Sequence, residues 1–107
     1  MTSFGDFIKR EREKRGWTQT DFGAKLGINS TAISRIENNN KQLSPAKLNL
    51  LAEIFGINLG KLKELFYADK FAREAIENDC PENVFAVAEK SAEYMRLKNA
   101  KQSKIEF

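Results

Sequence analysis

Apolar residues recur along this chain at helical spacing, and the pattern predicts helices throughout. Phe4, Phe7 and Ile8 share the inward face of a helix from about Ser3 to Arg15. Leu48, Leu51, Ala52 and Phe55 share a face of another, from about Pro45 to Phe55. Between them lie two short helices, about Gln19 to Leu26 and about Ser30 to Glu37. A fifth helix begins near Leu59 and continues to about Glu77, with Leu62, Leu65, Phe66, Ala72 and Ile76 on one side and Phe71 and Ala75 on another. The cluster Asn78-Asp79-Cys80-Pro81 ends it. A sixth runs from about Glu82 to Asn99 with a broad apolar stripe of Val84, Phe85, Val87, Ala88, Ala92, Tyr94 and Met95, and stripes of this kind are core in most proteins. The last residues, Ala100 to Phe107, are expected to fray.

The boundaries rest on a repeated device. Gly16-Trp17-Thr18, Gly27-Ile28-Asn29 and Gly56-Ile57-Asn58 each offer a glycine to end one helix and a Thr or Asn to cap the next. The apolar residue between them has a partner five positions on, as a hydrophobic staple requires: Trp17 with Phe22, Ile28 with Ile33, Ile57 with Leu62. Leu43-Ser44-Pro45 repeats the arrangement, with Ser44 as cap, Pro45 at the first helical position and Leu48 as staple partner.

The two short helices joined at Gly27 therefore form a helix–turn–helix. The second carries small polar and basic side chains, Ser30, Thr31, Ser34 and Arg35, opposite Ile33 and Ile36. That face suits contact with base edges in the DNA major groove. Helices this short must pack on their neighbours, and Gly23 on the first lets the second approach closely. The same pattern also occurs in all-α domains that bind no DNA.

Charge adds a little. Residues 1–56 hold nine Lys/Arg against six Asp/Glu, and residues 57–107 hold nine against nine, so the whole excess of +3 lies in the half with the helix–turn–helix. The run Lys9-Arg10-Glu11-Arg12-Glu13-Lys14-Arg15 is better read as a solvated helix face than as a nucleic-acid patch, because glutamates interleave the cations. At 107 residues, 41% of them hydrophobic, the chain has room for one modest core. It contains no His and one Cys, Cys80, so neither an internal disulfide nor a zinc site nor the usual His-based catalysis is expected. Catalysis, a cofactor, a small-molecule ligand and a membrane span are all unexpected, and a cytoplasmic location is expected.

At Arg12, Gly16-x-Thr18-Gln19, Leu26-Gly27-Ile28 and Ile33-Ser34-Arg35-Ile36-Glu37-Asn38 the sequence resembles the Cro/C1-type (XRE) helix–turn–helix family of bacterial and phage DNA-binding regulators. The likeness covers about Phe4 to Leu65. It implies a five-helix, lambda-repressor-like domain over residues 1–66, with residues 67–107 as an appended helical hairpin. It also implies a sequence-specific transcriptional regulator, a repressor at a double-stranded DNA operator. Base contacts would come from Ser30, Thr31, Ser34 and Arg35, the last with a fork that fits guanine O6 and N7. Ser30 departs from the family, where Gln is frequent. Phosphate contacts would come from Gln19, Asn29, Asn38, Asn40, Lys41, Gln42 and, more weakly, Lys47, although the Asn run also reads as a plain loop. Arg12 and Glu37 match a structural ion pair.

A single recognition helix covers too few base pairs for a useful site, so a two-fold dimer is expected, with its helices about 34 Å apart. Phe71, Tyr67, Val84, Val87, Tyr94 and Met95 are the candidate homodimer residues. The alternative is that the C-terminal helices bind a different protein, as in an antitoxin-like partner.

Overall fold

Most of the helix ends are closed by residues of their own local sequence. The computed structural model describes residues 3–105, with side chains to residue 100. Its elements are α1 (Phe4–Lys14), α2 (Gln19–Leu26), α3 (Ser30–Glu37), a 3₁₀ turn (Pro45–Lys47), α4 (Leu48–Phe55), α5 (Leu59–Glu77) and α6 (Val84–Ile105), with no strand among the described residues. Ser3 with Asp6 and Thr18 with Asp21 form reciprocal capping boxes at α1 and α2. Asn29 Oδ1 accepts from the Ala32 amide at 2.8 Å, and Asn58 Oδ1 from the Lys61 amide at 3.0 Å.

Ser44 differs from the sequence expectation and makes no side-chain cap bond. The amide it would have capped, that of Lys47, already donates to the Ser44 carbonyl at 2.9 Å, which tightens the first turn to 3₁₀ geometry. The regular helix consequently starts at Leu48, three residues later than the pattern suggests.

The C-terminal closures share one geometry. Gly16, Gly27 and Gly56 take positive φ of 72°, 77° and 65°, and the next amide donates to the carbonyl five residues back. Asn39 (φ 63°) and Asp79 (φ 51°) end α3 and α5 in the same way, with Asn40 N–H donating to Arg35 C=O and Cys80 N–H to Ala75 C=O. These two ends lack the glycine that marks the others.

The chain divides into two compact units, Met1–Phe71 and Ala72–Phe107, so the division falls within α5. In the first, Ile8, Phe22, Leu26, Ile33, Leu51, Leu62 and Phe66 are fully buried, joined by Phe4, Ile36, Leu43, Leu48, Ala52 and Phe55. Trp17, Phe22 and Phe55 stack nearly parallel, with Phe22 and Phe55 centroids 5.4 Å apart. Phe4 meets Phe66 edge-on at 5.2 Å, and its amide donates to Asp69 Oδ1 of α5 at 3.2 Å. Helices approach closely at two glycines. A Cβ at Gly5 would collide with the Ile36 carbonyl, and one at Gly23 with the Ile28 carbonyl.

The second unit is of another character. Among the described side chains of α6 none is buried; Val84 and Ala92 are half-buried, while Phe85, Val87, Tyr94, Met95 and Leu97 are at least half exposed. The sequence stripe of α6 thus forms no buried core within the second unit among the described residues. Residues 81–83 form a turn, with Val84 N–H donating to Pro81 C=O, so the helix starts later than expected. It also runs past Asn99 to Ile105, because nothing in Ala100-Lys101-Gln102-Ser103-Lys104 breaks a helix. The expected fraying of the tail falls partly on residues 106–107, outside the described residues.

Candidate nucleic-acid interface

Three helices meet at one carboxylate. Glu37, the last residue of α3, is 3% exposed, and its two oxygens accept three hydrogen bonds. Arg12 of α1 donates from Nε to Oε2 at 2.6 Å and from Nη2 to Oε1 at 3.0 Å. Gln19, the first residue of α2, donates from Nε2 to Oε1 at 3.1 Å. The remaining guanidinium nitrogen, Nη1, donates to the Trp17 carbonyl at 2.8 Å. The hydrogen bond to Glu37 raises the Arg12 pKa above its ordinary value, against the opposing effect of burial. No buried side-chain polar atom is left unsatisfied among the described residues. A buried charge pair so fully bonded fixes α1, α2 and α3 at a single point.

The helix–turn–helix is built on that point. Thr18 caps α2, Gly27 turns the chain, Asn29 caps α3, and Ile33 and Ile36 seat α3 on the core. The opposite face of α3 then holds Thr31 and Arg35, both exposed, with Ser30 and Ser34 half-buried beside them. Asn38 Nδ2 lies 3.5 Å from Ser34 Oγ as a long hydrogen bond. The Asn29 side-chain oxygen is engaged in the cap, and the residue is exposed, with two amide hydrogens that can donate to an anionic acceptor. Asn40, Lys41 and Gln42 are exposed in the loop after α3. Lys47 sits elsewhere in sequence but close in space, its Nζ 3.2 Å from where a Cβ on Gly27 would stand. The cation therefore lies beside the turn of the motif.

Gln19 is the first residue of α2, as expected, and makes a bond that its sequence reading does not include. It is half-buried, and one of its amide hydrogens is engaged by Glu37. The sequence contains no local sign of this bond between residues 18 apart. Reasoning from sequence also missed Arg15, whose guanidinium donates to the Phe55 and Glu11 carbonyls and to Glu11 Oε1, and lies 4.7 Å over the Phe55 ring. Burial raises the Glu11 pKa, but the bonds and charges of Arg15 and Lys14 outweigh it, and the net shift is downward. Arg15 is therefore half-buried against α4, and with the buried Arg12 it is a member of the α1 charge run that does not lie on a solvated face.

Of the candidate dimer residues, Tyr67 is half-buried against Phe66, with centroids 5.0 Å apart, and also near Phe71 at 5.8 Å. Phe71 is 56% exposed. In the second unit Val87, Tyr94 and Met95 are exposed and Val84 is half-buried. Among the described residues no group of His, Cys, Asp or Glu is arranged to hold a metal, and no helix is long and apolar enough to cross a membrane.

Comparison with known proteins agrees with this geometry. Residues 8–62, half of the chain, match the model of the helix–turn–helix family. The P22 c2 repressor, solved with a synthetic operator, superposes with a TM-score of 0.53 at 22% identity, over 58% of this chain and 94% of that one. SinR, the master regulator of biofilm formation, solved with DNA, gives 0.49 at 23% identity over 55% and 95%. The SinR–SinI protein complex gives 0.48 at 18% identity over 91% and 98%. No curated protein sequence matches the chain. The fold is all-α, a lambda-repressor-like helix–turn–helix domain continued by C-terminal helices, and the chain belongs to the Cro/C1-type (XRE) helix–turn–helix family.

Proposed function

We propose that this protein is a cytoplasmic, sequence-specific regulator of transcription, a homodimeric repressor that reads double-stranded operator DNA with α3 in the major groove. The observation that carries the reading is the face of α3 left in solvent. Thr31 and Arg35 stand exposed on a helix whose other side is locked into the core and whose last residue anchors three helices. Arg35 is the longest side chain there and the main base reader, with Ser30, Thr31 and Ser34 around it. Asn29, Asn38, Asn40, Lys41, Gln42, Lys47 and Gln19 supply the phosphate contacts. Sharing a fold with an operator-bound repressor supports this reading.

Selection from a random duplex library tests it. A recovered site should bind about 10³-fold or more tighter than unrelated DNA at physiological salt. Arg35→Ala should relax preference at one base position by roughly 1–3 kcal/mol. Lys47→Ala should instead weaken all sequences and lower the salt slope by about 1. Recovery of no preferred site would overturn the reading.

Dimerisation is assigned to the exposed apolar side chains of α6, since five large ones in 13 residues exceed what an isolated helix surface needs. Light scattering on the full chain should report a dimer, and Tyr94→Ser with Met95→Ser should return it to monomer. A monomeric wild type that captures a different protein through α6 would favour the alternative, a partner-binding helix.

A further inference from the structure

We infer that Glu37 is a positioning residue for DNA-backbone binding, holding the Gln19 amide so that its second hydrogen is set for a phosphate before DNA arrives. The inference rests on the DNA-binding reading above and adds a mechanism to it. A glutamine amide nitrogen carries two hydrogens in a fixed planar arrangement, so anchoring one determines where the other points. Glu37 Oε1 anchors the first at 3.1 Å. That oxygen cannot wander, because Arg12 grips the same carboxylate at 2.6 and 3.0 Å and also holds the Trp17 carbonyl, two residues before Gln19. The guanidinium thus fixes both the acceptor and the chain entering α2.

Two consequences follow from this geometry. A free glutamine side chain loses rotamer freedom when it binds, and here that loss is taken during folding. The phosphate contact is also mechanically joined to α3, since Glu37 is the final residue of the helix that carries Arg35. Backbone contact and base-reading helix are thereby kept in one register. Because Gln19 is neutral, its contact releases no counterion, so its loss lowers affinity at every salt concentration without changing the slope.

The test is a thermodynamic cycle on the full chain with Gln19→Ala, the joint change Arg12→Met with Glu37→Met, and all three together, using a duplex selected by the wild-type protein. Gln19→Ala should lose roughly tenfold in affinity, as for one hydrogen bond to a charged group. The salt slope should stay at its wild-type value. In the background with Arg12→Met and Glu37→Met, which has no acceptor for the amide and no stranded charge, removing Gln19 should cost less than about twofold, because the amide is no longer aimed. Multiplicative losses, or a Gln19→Ala variant that binds like wild type, would overturn the inference.

A second measurement uses the wild-type protein and depends on no variant. In wild-type protein, the Gln19 side-chain amide should show a rigid ¹⁵N order parameter before DNA is added, and only one of its two protons should shift on addition of the selected duplex. A mobile amide in the free protein overturns the positioning role. If no duplex is selected at all, the DNA-binding reading fails, while the amide relaxation still reports on the anchor by itself.

Discussion

The two units of this chain use apolar residues in opposite ways. In the first, thirteen apolar residues are buried from five helices and the loop before Pro45, every one of them 8% exposed or less. In the second, α6 is the longest described helix, at 22 residues, yet none of its described side chains is buried. Length does not explain the difference. Most helix ends of the first unit are tied by caps, left-handed closures and staples, so each apolar face has a fixed direction and a neighbour to meet. For α6, helical spacing produces a stripe but specifies nothing to cover it. An apolar stripe shows where burial is favourable and leaves open which surface supplies it.

The sharpest way to break this contrast is to truncate one large side chain in each unit. Phe22→Ala removes a fully buried ring from the Trp17–Phe22–Phe55 stack and should cost about 3–5 kcal/mol. That is a large part of the 5–15 kcal/mol typical of a domain, and urea unfolding should show it as a low midpoint. Tyr94→Ala, in contrast, should leave the midpoint of the monomer within about 0.5 kcal/mol, since the ring is exposed in the chain. Equal losses in the two variants would mean that α6 is part of the same core.

Glu37→Ala probes the polar centre of the first unit. It strands a guanidinium that is 9% exposed and should cost about 3–5 kcal/mol, much of it the penalty of an unpaired buried charge. Replacing Arg12 and Glu37 together by apolar residues of similar size should recover a good part of that loss. Such a protein would be stable but would have lost the anchor of Gln19. Chemical denaturation of the single and paired variants checks the first claim, and DNA affinity the second.

Gly27→Ala comes next. Its φ of 77° is a conformation that L side chains adopt at a cost of about 1–2 kcal/mol, and an added Cβ would press on Lys47 Nζ at 3.2 Å. The flexible lysine can move aside, so the backbone sets the size of the effect. The thermal midpoint should fall by several degrees with helix content intact, and Gly16→Ala, with nothing near its added Cβ, should give the same loss from backbone alone.

Much of the fold was readable from sequence, because caps and staples are local. Thr18, Asn29 and Asn58 bond amides three residues away, and Gly16, Gly27 and Gly56 announce left-handed turns by composition. Asn39 and Asp79 close helices in the same conformation but are far less diagnostic, since these residues visit it only occasionally. Ser44 looked like its counterparts and failed as a cap because the 3₁₀ turn had already taken the Lys47 amide. The polar face of α3 was visible in the residues alone. Gln19 was not, because its bond to Glu37 exists only once α2 and α3 are packed together. The fate of the α6 stripe was equally hidden, since periodicity carries no information about a covering surface.

The smallest expected effect concerns pH and separates local from tertiary stabilisation within the first unit. Bonds from the Thr18 backbone amide and hydroxyl hold the Asp21 carboxyl below the usual carboxylate range of about 4. A carboxylate depressed on folding adds stability above its unfolded pKa, and that stability disappears as pH falls through the folded value. Wild type should therefore lose a little stability below about pH 4 that Asp21→Asn does not lose. Thr18→Ala should cost about 1 kcal/mol at neutral pH and flatten the same acid limb, because it removes the hydroxyl that lowers the pKa and caps α2. Asp21 is exposed, so salt weakens only its coulombic attraction to Lys25, and the acid limb should persist at high ionic strength. If salt erased it, the capping box would be secondary to that charge pair, and the start of α2 would depend on electrostatics rather than on hydrogen bonds.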